Sequence, residues 1–119
     1  MTLDAFEILV KEAYRSLPAK VKKILERKEV KILVREKVPE AVMLHHPGKI
    51  VFGVFAGLPY GRAGMYLPYE PTRIEIYKES FEKVFVGEEE IRRNVAKTVM
   101  HEVAHYLGFS ESYLKKLGY

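Results

Sequence analysis

Residues 88–107 read EEEIRRNVAKTVMHEVAHYL, and this stretch has the clearest helical pattern in the chain. Its apolar residues recur every four positions, which places them along one stripe of an α-helix. Three glutamates open the stretch at the positive end of the helix dipole, and Gly108 follows where a left-handed C-cap is expected. The sequence therefore predicts a long helix whose stripe enters the core. The stripe consists of Ile91, Val95, Val99, Val103 and Leu107.

The same helix carries the segment His101-Glu102-Val103-Ala104-His105, which is an H-E-x-x-H motif. Two histidines four residues apart project from one face of a helix, so their imidazoles can share one tetrahedral ion. Glu102 lies about 100° round the helix from His101, where it can contact a water on that ion without binding the ion itself. The motif therefore predicts a zinc site with Glu102 beside it.

The residues alone leave more than one candidate for the third protein ligand of this site. A catalytic zinc usually takes three protein ligands and a water, and the chain has no cysteine and four histidines. Glu111 lies just past Gly108, and a reversal of the chain there would return it to the ion. Its alternative role is to cap the last helix. His45 and His46 compete for the ligand position, although histidines in a His-Pro-Gly turn are often simply solvated.

Helical periodicity also appears outside the motif. Apolar residues at steps of three and four predict a helix over Asp4–Leu17, with Asp4 as its N-cap. Pro18 ends this helix and opens a second short one at its first turn. A short helical turn is predicted over Ser80–Val86, and a last short helix over Ser110–Leu117.

Three runs of β-branched and aliphatic residues predict strands at Val30–Arg35, Ile50–Phe55 and Arg73–Tyr77. In the third run, isoleucines alternate with polar residues, which predicts one face toward the core and one toward solvent. We therefore expect an α+β fold with a small mixed or mostly antiparallel sheet. The sheet would pack on the N-terminal helix and on the helix that carries the motif, in a single domain over residues 1–119.

Composition narrows the class of protein. No apolar run is long enough to span a membrane and no secretory signal is visible, so we expect a cytoplasmic protein without a membrane partner. The net charge is +4, but Lys and Arg are spread among glutamates and form no stripe, so no nucleic-acid partner is expected. Charged residues make up 30% of the chain and Gln is absent, a bias that resembles proteins of thermophiles.

The chain resembles the small bacterial zincin-like metallopeptidases, a family of possible zinc metallopeptidases. The resemblance implies that His101 and His105 are metal ligands, that Glu102 is the catalytic base and that Glu111 is the third ligand. Such proteins often carry aspartate at this last position, so the longer Glu111 must fold back to reach the metal. The matching segments are Ser16-Leu17-Pro18, Gly57-Leu58-Pro59, Pro71–Tyr77 and His101–Glu111, followed by Leu114, Leu117 and Gly118.

These residues predict a zinc-dependent peptidase that acts on a peptide or protein substrate. The zinc ion would lower the pKa of its water to about 7 and polarise the scissile carbonyl. Glu102 would accept the proton of that water and pass it to the leaving amine. An extended peptide would pair with an exposed edge of the sheet, beside the long loop Gly57–Pro71. Candidates for stabilising the oxyanion, each also explained by ordinary loop packing, are Tyr60, Arg62, Tyr66 and Tyr69.

Two other functions fit parts of the sequence. A metal-dependent ribonuclease would suit the basic pI of 9.2, but such enzymes of similar size carry a three-histidine signature without glutamate after the first histidine. A non-catalytic regulatory or binding protein, in which zinc only ties the last helix to the core, is the second alternative. The oligomeric state is not predicted.

Overall fold

The computed structural model of the chain describes residues 1–57, Tyr60 and residues 72–116, apart from the side chains of Tyr113 and Leu114. Its strands are β1 (Lys31–Arg35), β2 (Gly53–Ala56) and β3 (Arg73–Tyr77). Its helices are α1 (Leu3–Arg15), α2 (Ala19–Arg27), α3 (Glu40–His45), α4 (Lys78–Val84), α5 (Glu88–Tyr106) and α6 (Glu111–Lys116). The predicted α+β class is confirmed.

The three strands form one sheet in the order β1-β3-β2. The central strand β3 pairs in parallel with β1, with Ile32 opposite Ile74, and antiparallel with β2, with Phe55 opposite Ile74. The prediction allowed a mixed or a mostly antiparallel sheet, and the sheet is mixed. Within the described residues, β2 pairs on one side only, so it is an edge strand.

The core lies between this sheet and the two longest helices, α1 and α5. The predicted stripe of α5 is buried from Ile91 to Val103, whereas Leu107 at its end is only partly buried. Each large aliphatic side chain that is buried in this way stabilises the fold by about 1.5–3 kcal/mol. The residues that meet this stripe from α1, β3 and α4 are Phe6, Leu9, Val10, Ile74, Ile76 and Phe81.

The N-terminal capping prediction was wrong. The N-cap of α1 is Thr2, whose hydroxyl accepts a hydrogen bond of 3.1 Å from the backbone N–H of Ala5. Asp4 lies inside the first turn, where its charge still meets the positive end of the helix dipole. Pro18 does separate two helices, but it is the extended N-cap of α2 and does not occupy its first turn.

One helix was not predicted from the sequence. α3 begins after Pro39 and ends just before the His-Pro-Gly segment, where the N–H of Lys49 donates to the carbonyl of His46 at 3.2 Å. None of its residues is buried. A helix of six residues is too short to show the three- and four-residue periodicity by which helices are recognised from sequence.

The prediction that one face of β3 meets solvent was also wrong. Glu75 has 2% of its surface exposed and Tyr77 has none. The Glu75 carboxylate is held by Arg35 at 3.0 Å, by Arg73 at 2.7 Å and by the Tyr77 hydroxyl at 2.9 Å. These partners replace the water that a charged group normally requires, so the polar face of the strand is buried as well.

Candidate metal centre

The two histidines of the motif lie on the face of α5 that is turned away from the buried stripe. Their side chains are 25% and 22% exposed, and their Nε2 atoms are 3.0 Å apart. Val99 and Val103, on the opposite face, are in the core. Because the core fixes the rotation of the helix about its axis, it also fixes the direction in which both imidazoles point.

The chain reverses directly after α5 through a Schellman motif. Gly108 has φ of 99°, its N–H donates to the carbonyl of His105, and the N–H of Phe109 donates to the carbonyl of Ala104, each at 3.0 Å. A side chain at Gly108 would meet nothing within 4 Å, so glycine is favoured here by its backbone conformation and not by space. The turn makes Glu111 the first residue of α6 and returns it to the histidines.

Glu111 completes a group of three ligand atoms. Its Oε1 lies 2.8 Å from Nε2 of His105 and 3.1 Å from Nε2 of His101. Hydrogen bonding to His105 lowers the pKa of Glu111, burial opposes this and His101 adds to the lowering, so the side chain is a carboxylate at neutral pH. The extra methylene of glutamate therefore does not prevent the carboxylate from reaching both histidines.

The group fits a divalent metal ion. Tetrahedral zinc with bonds of about 2.1 Å separates its ligand atoms by roughly 3.4 Å, close to the separations found here. Two imidazoles and a carboxylate are also the donor set of many catalytic zinc sites. Among the described residues, His101, His105 and Glu111 form the group of His, Asp and Glu side chains that could hold a metal ion. Neither His45 nor His46 belongs to this group.

Glu102 lies beside this group and differs from Glu111 in its environment. Burial, and then the negative charge of Glu111, raise the pKa of Glu102 to about 7, and a backbone hydrogen bond from Phe55 opposes the rise. A bound cation would favour the ionised form and lower this pKa again. An ionised carboxylate in this position can accept a proton from a water beside the ligand group, which is the role of a general base.

A groove of about 540 Å³ runs past the three ligand atoms. One wall is the edge strand β2 with the segment before it, and the other is the face of α5 that carries the motif. A Cβ atom at Gly53 would lie 2.8 Å from the carbonyl oxygen of Glu75 and 3.3 Å from Thr98 Cγ2, so the absence of a side chain lets strand and helix approach. The lining residues are His46, residues 49–55, Lys97, Thr98, His101, Glu102, His105 and Glu111.

The sequence interpretation missed part of this lining. Lys97 precedes His101 by four residues, so the helical spacing that identified the histidines could also have placed Lys97 on their face. Lys49 carried no such signal, because it reaches the groove only through the fold. His46, which the sequence interpretation considered as a ligand, lines the groove without joining the ligand group.

The proposed oxyanion residues are largely outside the described part of the chain. Arg62, Tyr66 and Tyr69 belong to the residues that the structure does not describe. The N–H of Tyr60 donates to the carbonyl of Tyr106 at 2.9 Å and its ring contacts the Tyr106 ring, and it is not among the described residues that line the groove. Tyr60 is therefore explained by packing at the end of α5.

The comparison with known families agrees with this geometry. The family model described as "Zincin-like metallopeptidase" matches residues 27–119, which is more than half of the chain. No curated protein gives a significant match. None of the described helices is long and apolar enough to cross a membrane. The chain belongs to the zincin-like metallopeptidase family.

Proposed function

We propose that this member of the zincin-like metallopeptidase family is a zinc-dependent peptidase. In this proposal His101, His105 and Glu111 hold the metal, and Glu102 is the general base. The observation that carries it is the convergence of two Nε2 atoms and one carboxylate oxygen, within 4.8 Å of one another, in a groove that is also lined by the Glu102 carboxyl group.

The zinc ion, when bound, supplies a Lewis acid that polarises the scissile carbonyl and makes a water acidic, with a pKa of about 7. Glu102 accepts a proton from the attacking water, whose oxygen forms the new bond to the carbonyl carbon. As the C–N bond breaks, Glu102 returns that proton to the leaving amine nitrogen. The hydrogen bond from Phe55 holds the Glu102 carboxylate toward the groove during both transfers.

The substrate would bind along the groove as an extended peptide. On the free side of β2, Gly53–Ala56, the N–H of Phe55 is bonded to Glu102, and the remaining backbone N–H and C=O groups are those to which another strand can be added. Because β2 lies against the α5 wall of the groove, a peptide paired with it passes the three ligand atoms. Backbone pairing positions the scissile bond, and contacts with alternate side chains select the substrate.

Metal analysis is the experiment that tests this proposal first. Wild-type protein without a His-tag is expected to bind about one zinc per chain, and His101→Ala and Glu111→Ala are expected to lose it. His45→Ala is the matched control, because His45 is exposed and lies outside the ligand group. Protein that takes up no zinc when zinc is supplied, or a Glu111→Ala variant with unchanged affinity, would contradict the proposed ligand set.

A non-catalytic zinc protein is the second candidate, and the position of Glu111 favours it. Glu111 is the first residue of α6, whereas both histidines lie on α5, so a bound ion would fasten the two helices together. Zinc-loaded protein that hydrolyses no member of a broad peptide library, while removal of zinc lowers its melting temperature, would support this candidate over the peptidase.

A further inference from the structure

We propose that the groove prefers peptides with an acidic side chain about three residues from the scissile bond, and that Lys97 binds this side chain, with Lys49 adding positive charge to the same groove. The proposal names a substrate class for the peptidase site, so it rests on the proposed function.

The first step concerns the direction of the groove. Gly53 lies against Thr98, and Phe55, two residues later, bonds to Glu102. β2 therefore runs in the same direction as α5 along the groove. Lys97 is adjacent to Thr98 and Lys49 precedes Gly53, so both lysines lie on the same side of the metal centre. This is the side toward the N-terminal half of α5.

The second step concerns charge. The described lining holds two carboxylates, Glu102 and Glu111, and both stand at the metal centre. Lys49 and Lys97 are exposed, and neither makes an ion pair with any described residue. The groove lining also includes the apolar side chains of Ile50 and Phe52. One end of the groove thus combines two unpaired ammonium groups with apolar surface, which complements an acidic side chain on an extended peptide.

The third step concerns spacing. Lys97 precedes His101 by four residues and His105 by eight, so the midpoint between the two histidines lies about 9 Å along the helix from Lys97. An extended peptide advances about 3.3 Å per residue, so this distance corresponds to about three residues of substrate.

Binding to labelled peptides tests the preference without requiring hydrolysis. Alanine-based octapeptides with one Glu, Gln or Lys would be titrated by fluorescence anisotropy against zinc-supplied Glu102→Gln protein and against metal-free wild type. We expect the Glu peptide to bind about 3- to 5-fold more tightly than the Gln peptide. Lys97→Glu should abolish this preference or reverse it in favour of the Lys peptide, and Lys49→Glu should weaken it. Lys23→Glu, an exposed α2 residue outside the groove, is the matched control.

The outcomes separate this proposal from the peptidase itself. A Lys97-dependent preference in a protein that hydrolyses no peptide upholds the charge preference and overturns the proposed function. Hydrolysis that is indifferent to acidic residues, or a preference that survives Lys97→Glu, overturns the charge preference and leaves the peptidase standing. Absence of binding at millimolar peptide, or tighter binding of an oligoribonucleotide than of every peptide, also overturns it.

Discussion

Glu75 and Glu102 are two carboxyl groups whose surroundings in the fold shift their pKa values in opposite directions. Burial by itself raises the pKa of both. Around Glu75, hydrogen bonds from Arg35, Arg73 and Tyr77 outweigh burial and hold its pKa below the ordinary value. Around Glu102, the charge of Glu111 adds to burial, and only a backbone hydrogen bond from Phe55 opposes it.

The difference separates a structural carboxylate from a reactive one. Glu75 has every partner that its charge requires, so it stays ionised and exchanges no proton near neutral pH. Glu102 is underpaired, so protonation costs it little and a nearby cation can shift its charge state. Functional groups are often recognised by such incomplete pairing in a cleft.

The largest expected effect is on catalysis. Glu102→Gln should lower kcat by about 10²–10⁴-fold, because the amide cannot accept a proton from water. Zinc content should be unchanged, since Glu102 is not among the three ligand atoms. The free energy of unfolding should be equal or higher, because the variant removes an underpaired carboxylate. Peptide turnover with metal analysis and urea unfolding check this. Retained turnover would remove Glu102 from the role of base.

Glu75→Gln should give the opposite result. The variant leaves two guanidinium groups and a buried hydroxyl without their carboxylate, and we expect a loss of about 2–3 kcal/mol in unfolding free energy. Urea unfolding measures the loss, and zinc affinity should stay as in wild type. Glu7→Gln, in an exposed pair with Lys11, is the control and should cost less than 1 kcal/mol. Equal losses in the two variants would show that the hydrogen bonds and ion pairs of Glu75 stabilise the fold no more than an exposed ion pair does.

The pH dependence of stability sharpens the same contrast. The pKa of Glu75 is lower in the folded protein than its ordinary 4.5, so its ionised form stabilises the fold. This contribution is complete above pH 4.5 and disappears as pH falls through the lower folded-state pKa. The stability gap between wild type and Glu75→Gln should therefore close in acid. If the difference in unfolding free energy is constant from neutral pH to pH 3, the charge of Glu75 does not stabilise the fold.

The smallest expected effect concerns the turn after α5. Gly108→Ala forces a side chain into φ of 99° and should cost about 1 kcal/mol in unfolding free energy. It should also weaken zinc binding, because the turn places Glu111. Gly87, with φ of 87° at the other end of α5, is the matched control: Gly87→Ala should destabilise the fold and leave zinc affinity unchanged. Equal zinc affinities in the two variants would show that the turn does not determine the position of Glu111.

Much of α5 and of the candidate site could be predicted from the sequence. The spacing of the stripe and of His101 and His105 is local, since both depend only on 3.6 residues per turn. The bounds of β3 were also predicted correctly, because a short run of β-branched residues marks them. Glu111 was predicted as the third ligand, with His45 and His46 as alternatives, but its position could not be derived from helical spacing, since a ligand from another element depends on how the chain reverses.

The two errors have different causes. Asp4 was predicted as a cap because it is a favoured cap residue, but Thr2, a local alternative, begins the helix two residues earlier. The polar face of β3 was assigned to solvent because the pattern of one strand does not show what a neighbouring strand contributes. Glu75 meets Arg73 within its strand, but Arg35 comes from the neighbouring strand β1.

The sequence by itself determined the α+β class, the stripe of α5 and the two histidines that project from one of its faces. These follow from periodicity, which is a property of neighbouring residues. Only the tertiary structure decided that Glu111 meets both histidines, that Lys49 and Lys97 line one groove, and that Glu75 and Glu102 have opposite pKa shifts. Charge, burial and ligand distance depend on residues far apart in the chain, and packing alone brings those residues together.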